Sequence, residues 1–270
     1  MLIKTPNFPH KKAIAAMASI PSSALWFYGS HAVAAAIANP HRQIFRLLSV
    51  DKTPFPFDEA QLSAASEKFR RPRPESVPKE ILENLLPRGA LHQNIAALVA
   101  ALPNIALESL IATCPPQATW LVLDQITDPH NFGAILRSAA AFGVTVVLVT
   151  DRHAPPMSGL IAKTASGGVE RVTIVRVVNL ARALGQLRDA DFWRIGLAES
   201  GRDRLDQLWQ KPPPLARIAL ILGAEGNGMR RLTSENCDIL AHLPTIESFS
   251  TLNVSNAAAI ALYECSRRFN

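Results

Sequence analysis

Three short clusters between residues 128 and 256 carry side chains that could hold a ligand and manage a proton. The first is Asp128-Pro-His-Asn131-Phe-Gly133-Ala-Ile-Leu-Arg137. An Asn at a helix start can accept from the orphan backbone N–H groups there, so Asn131 reads as a cap. Gly133 removes a side chain from the first turn, where a ligand could approach. Arg137 lies about one and two-thirds turns beyond Asn131. The second cluster is Gly223-Ala-Glu225-Gly226-Asn-Gly228-Met229, directly after the apolar ARIALIL. Its glycines permit sharp turns and expose backbone donors and acceptors. A carboxylate inside such a loop needs a partner, and Glu225 is expected to meet Arg137. The third cluster is Leu243-Pro244-Thr245 followed by Ser250-Thr251-Leu252-Asn253-Val254-Ser255-Asn256, a hydroxyl-rich loop entering an alanine-rich helix.

Two familiar ligand loops are excluded. No Lys-Ser/Thr follows the glycines, so they form no phosphate P-loop. Their order is G-x-x-G-x-G after a late strand, which argues against a dinucleotide fold.

These clusters must be positioned by elements that alternate. WLVLD (120–124) and VTVVLVT (144–150) read as buried strands, with a helix over 131–142 between them. Further strands are expected at 172–177, 192–198, 217–222 and 239–243, with helices near 160–166, 179–188, 230–236 and 253–268. Such alternation predicts an α/β domain with a mainly parallel sheet covered on both faces, and ligands bind at the carboxyl ends of such strands. A smaller unit precedes it. LWFY (25–28) and IFRLLSV (44–50) read as strands, and 81–86 and 95–101 as helices. The division expected is a flexible extension over 1–22, a front domain over 23–112, a linker over 113–118 and the larger domain over 119–270.

The 270 residues are 48% hydrophobic and 19% charged, which excludes a disordered chain. With 28 Lys and Arg against 22 Asp and Glu, the net charge is +6, compatible with a polyanionic partner. The first 116 residues hold 12 basic and 8 acidic side chains, so the front carries most of that excess. Arg42, Arg46, Lys68, Arg70, Arg71 and Arg73 are its candidate phosphate ligands. Three scattered cysteines with no CxxC pair call for neither a zinc knuckle nor a disulfide framework, and no metal is implied. Lys11 and Lys12 before AIAAMASI imitate a secretory signal, but the apolar run is short, and a loose basic extension is expected instead. No unbroken apolar run suits a membrane span, so a cytoplasmic protein is expected.

Taken together, VLDQITDPHNFGAILRSAAAFGV, ILGAEGNGMRRLT and LPTIESFSTLNVSNAAAIALYE resemble the three signature motifs of the SpoU family of RNA ribose 2′-O-methyltransferases, in the SPOUT superfamily. They look most like its bacterial 23S ribosomal RNA guanosine-2′-O-methyltransferases. WFYGSHAVAAAI and HQNIAALV also resemble the family's N-terminal substrate-binding domain, which has a fold like that of ribosomal protein L30e. The resemblance implies a trefoil-knotted catalytic domain, S-adenosylmethionine (SAM) as methyl donor, ribosomal RNA as partner and a homodimer. By position, Asn131, Arg137, Glu225 and Asn253 match the family's polar catalytic set. Gly223, Gly226, Leu243, Leu252 and Asn253 match or neighbour its SAM-binding positions. Thr245 and Glu247 depart from the usual Ile-Pro-Met-x-Gly, and Asn94 stands where His-Gln-Gly is usual. A tRNA substrate, or a non-catalytic ribosome-assembly module on the same fold, remain as alternatives.

Overall fold

The computed structural model describes residues 20–51, 53, 71–210, 216–246 and 251–267. The described residues build two sheets. The front sheet has the order β1-β4-β2-β3, from β1 (Leu25–Tyr28), β2 (Ile44–Val50), β3 (Glu75–Val77) and β4 (Ile95–Val99). β4 runs antiparallel to both β1 and β2, and all five of its residues are buried. The helix expected over 95–101 is therefore a strand. IAALV is apolar without a period, and periodicity cannot separate a buried strand from a buried helix in so short a run. Among the described residues, helices α1 (Ser30–Ala38) and α2 (Lys79–Leu85) also belong to the front unit. The turn into β4 survives the replacement of glycine: Gln93 and Asn94 take φ of 52° and 63°. Asn tolerates this region better than most residues.

The second sheet has seven strands in the order β7-β6-β5-β10-β8-β11-β9, and every described pairing is parallel. β5 (Ala118–Asp124), β6 (Val146–Thr150), β7 (Thr173–Val177), β8 (Phe192–Leu197), β10 (Arg217–Gly223) and β11 (Ile239–His242) lie close to the expected positions. The two-residue β9 (Asp203–Arg204) is too short to leave a pattern. All seven residues of β5 are buried, as a strand covered on both faces requires. Helix α3 (Leu107–Ala112) packs on this sheet: Leu107 shares a core with Leu184, Leu187 and Phe192. The helices that follow are α4 (Pro129–Ala141), α5 (Gly159–Ala165), α6 (Leu180–Asp189), α7 (Arg231–Glu235) and α8 (Val254–Arg267).

The two sheets do not have separate interiors. One apolar core runs from Phe27, Val33 and Leu47 in front to Ile135, Ile161 and Ala165 behind. α5 enters so close to β1 that a Cβ on Gly159 would sit 2.2 Å from the Trp26 carbonyl oxygen. Arg42 and Glu170 then pair across this junction at 2.7 Å, with side chains only 2% and 4% exposed. The chain order is modular, but the packing is continuous.

Candidate active site

α4 begins with Pro129 at its first position, where a missing N–H costs nothing. The cap is Asp128, whose Oδ1 accepts from the Asn131 backbone N at 2.8 Å. This corrects the expectation that Asn131 caps the helix. The consequence is chemical: the Asn131 amide is left free to face the other clusters. Gly133 serves packing rather than a ligand, since a Cβ there would sit 2.7 Å from Cβ of Thr164 on α5.

Three residues from the three clusters converge. Asn131 Nδ2 donates to Glu225 Oε1 at 3.1 Å, and Asn253 Nδ2 donates to the same oxygen at 2.5 Å. The Val254 backbone N, at the start of α8, donates to it as well at 3.1 Å. Asn253 Nδ2 also reaches Asn131 Oδ1 at 3.1 Å, and Asn253 Oδ1 accepts from Ser255 N at 2.9 Å. One carboxylate oxygen thus holds two loops and a helix start together, through hydrogen bonds strengthened by its charge. Oε2 of Glu225 has no partner among the described residues.

Arg137 is not part of this cluster. It is exposed on α4, and its side chain makes no ion pair or hydrogen bond with any described residue. The expected Arg137–Glu225 contact is therefore replaced by the Asn131–Glu225–Asn253 network. Six helical residues rotate Arg137 away from Asn131 and carry it roughly 9 Å along the axis.

The glycine-rich loop is a tight knuckle. Ala224 N donates to the Gly228 carbonyl at 3.1 Å, and Gly228 N donates to the Ala224 carbonyl at 2.9 Å. A Cβ on Gly223 would sit 2.1 Å from the Gly228 carbonyl carbon, so only glycine fits at the end of β10. Gly226, at φ 78°, faces open space at the tip. The sheet order places the ends of β8, β10 and β11 side by side. Leu243 packs on the core beyond β11, while Ile246 and Leu252 remain 69% and 38% exposed. Glu247 and Ser250 lie outside the described residues.

A pair that sequence reasoning overlooked braces this edge. Asp124, fully buried at the end of β5, accepts from Arg230 N at 3.0 Å and from Arg230 Nε at 2.8 Å. It fastens the exit of the glycine knuckle to the neighbouring strand. The signal was visible as a carboxylate ending an apolar strand, a buried charge that demands a partner.

The family model of the SpoU rRNA methylase family matches residues 118–263. The chain belongs to the SpoU rRNA methylase family. The 23S rRNA (guanosine-2′-O-)-methyltransferase RlmB of Xylella fastidiosa is 36% identical over 90% of this chain and 96% of its own length. RlmB of Escherichia coli K12 is 42% identical over 67% of this chain and 73% of that protein. The solved structure of the SpoU methyltransferase AviRb from Streptomyces viridochromogenes, in complex with AdoMet, shares the fold with a TM-score of 0.74. That match covers 92% of this chain and 91% of AviRb at 21% identity.

Within this SpoU-family chain, the four described basic candidates of the front unit do not form one surface. Arg42 is buried and spends its guanidinium on Glu170 and on the Ala100 carbonyl, 2.6 Å away, so it cannot reach a phosphate. Arg71 donates to the carbonyls of Ile37, Arg42 and Asn39. Burial lowers its pKa, against the opposing pull of Glu170. Both are corrected from RNA ligands to structural staples. Arg46 is paired bidentately with Glu75 at 2.9 and 2.6 Å, and Arg73 is exposed. Lys68 and Arg70 lie outside the described residues.

Proposed function

We propose that this SpoU-family chain is a SAM-dependent methyltransferase that modifies the ribose 2′-oxygen of a guanosine in 23S ribosomal RNA. The observation that carries this reading is the convergence of Asn131, Glu225 and Asn253 at the carboxyl edge of the parallel sheet. It is supported by relatives named for that reaction and 36% to 42% identical.

The residues at the edge fit SAM by their chemistry. The knuckle of 223–228 offers backbone donors and acceptors but contains no Lys or Arg, which suits a nucleoside without phosphates. Leu243, Ile246 and Leu252 add apolar surface that water would otherwise cover. Gly223, Gly226, Leu243, Leu252 and Asn253 are the residues assigned to hold it. When bound, SAM supplies an electrophilic methyl on a sulfonium. The protein's task is to present a ribose hydroxyl in line and to help its proton leave. Glu225 fixes the two asparagine amides, and those amides orient the ribose. Arg137 stands apart from the network with its guanidinium unengaged, which suits it to hold an RNA phosphate beside the reacting ribose. Arginine is no general base, so that phosphate or a neighbouring group accepts the proton.

The finer architecture belongs to the same reading. The insertion of β10 between β5 and β8, with α8 returning against α4, supports a trefoil knot. The β1-β4-β2-β3 sheet with α1 and α2 serves as an L30e-like substrate-binding unit. Ile260 and Tyr263, 44% and 51% exposed on α8, support assembly as a homodimer. No described helix is long and apolar enough to cross a membrane. An enzyme acting on ribosomal RNA, as its RlmB relatives are named for, would work in the cytoplasm. The test is transfer from labelled SAM to a 23S transcript, followed by digestion to nucleosides. Label in 2′-O-methylguanosine is expected. Label in a base-methylated nucleoside overturns the reading.

A further inference from the structure

A hollow of about 250 Å³ opens on the side of α4, away from the Asn131 end. Three alanines of α4 and α5 form its walls, with Ser166 and Gly168 at one rim. Two guanidiniums complete it, Arg137 from α4 and Arg171 from just after the 3-10 turn Gly168–Glu170. Both are exposed, and neither has an ion pair or hydrogen bond with any described residue. The carboxylate next in sequence, Glu170, is consumed by Arg42 and Asn39. The hollow therefore holds two like charges and no neutralising group among the described residues that line it.

We propose that this hollow is a two-arginine seat for an RNA phosphodiester, with Arg171 as its second ligand. The inference rests on the function proposed above and extends it to a residue that the sequence reading did not single out. Two guanidiniums lining one hollow suit the oxygens of a phosphate, and an anion removes the repulsion between them. Alanine walls leave space without offering the apolar bulk that a protein side chain would need. The volume is several times the roughly 30 Å³ of a water molecule, enough for a phosphate group.

The front unit has a part in this seat. Arg171 directly follows Glu170, and Glu170 is locked by Arg42 from the other sheet. Asn39 adds a 2.6 Å hydrogen bond to the same carboxylate. The domain junction thereby fixes the turn that carries Arg171, so its backbone does not have to be ordered when RNA arrives and only the side chain does.

The test uses the full chain, with Arg171→Ala and Arg171→Lys beside the parent. Binding of a labelled 23S rRNA fragment is followed by anisotropy over a range of KCl concentrations. Methyl transfer is measured with RNA varied, and oligomeric state by sedimentation. For Arg171→Ala the slope of log affinity against log salt should shrink by about 0.9, and the KM for RNA should rise roughly tenfold. SAM affinity, melting temperature and sedimentation should stay as in the parent. Arg171→Lys should restore the slope but only part of the KM, because a point charge replaces the fork. An unchanged slope and KM for Arg171→Ala overturn the seat. A change in sedimentation in place of the salt slope also overturns it, and makes the hollow a subunit contact. Should the parent transfer no methyl to RNA, the proposed function fails, while the salt slope still decides the hollow.

Discussion

Asn253 donates to Glu225 across 2.5 Å, and the same carboxylate oxygen takes a second hydrogen bond from Asn131. Glu225 is thus the common anchor of three segments that are distant in sequence. Glu225→Ala should release both amides and the first turn of α8. Its kcat/KM should fall about 100-fold, or roughly 2.7 kcal/mol. The stability cost should stay near 1 kcal/mol, because the site is exposed and mainly a helix start is lost. Glu225→Gln, which keeps the shape without the charge, should lose about tenfold. Steady-state kinetics together with urea unfolding separate these effects. Equal losses in both measurements would make Glu225 a stability residue only.

Arg42 tests the revised view of the front unit. Arg42→Ala leaves Glu170 buried without its cation, which should cost about 3–5 kcal/mol. The salt slope of RNA binding should not change, since Arg42 touches no solvent. Replacing both partners with apolar residues of similar volume should recover most of the stability. A shallower salt slope in Arg42→Ala would return this residue to the RNA surface.

The continuous core makes a prediction about truncation. The division at a 113–118 linker would let a chain starting near residue 116 stand alone, and the shared core argues against it. Removing the front unit would uncover Ile161, Ala162 and Ala165 and take away the α3 contacts with Leu184 and Leu187. Such a fragment should aggregate or lose its cooperative melting transition. A soluble 116–270 fragment with a sharp transition would show that the two sheets are independent.

The readable and unreadable parts of this chain differ in range. β-branched and apolar runs such as VVLVT fixed strands locally, and Asn131, Glu225 and Asn253 stood out because each sits at a strand-to-helix junction. The order of the strands was not readable, because β10 enters between β5 and β8 through contacts distant in sequence. Arg42 looked like a surface charge for the same reason: its partner lies 128 residues away. Arg137 was placed beside Glu225 on charge alone, yet the two asparagines already satisfy one oxygen of that carboxylate. Ile95–Val99 was misread because full burial erases the period that separates helix from strand.

Cys237 offers a pH test. Burial is the main cause that pushes its thiol up to about 12, with Asp238 and Asp124 adding to the rise and Arg194 opposing it. In the unfolded chain a thiol titrates near about 8.5. The folded state therefore holds this proton more tightly. Its contribution to stability is complete below about pH 8.5 and is lost as pH rises toward 12. Cys237→Ala should flatten the decline of unfolding free energy between pH 9 and 11 relative to the parent. The native thiol should also resist alkylation at pH 8. Rapid alkylation of the folded protein, or identical pH slopes, would contradict this burial.

The central claim is a site-specific methyl group on ribosomal RNA that depends on the Asn131–Glu225–Asn253 cluster. The most direct measurement maps 2′-O-methylation along 23S rRNA from cells with the gene, without it, and complemented by the parent or by Asn131→Ala. One guanosine should lose its 2′-O-methyl group when the gene is absent, regain it with the parent and stay unmodified with the variant. An unchanged 23S map after deletion, or full restoration by Asn131→Ala, would contradict the account.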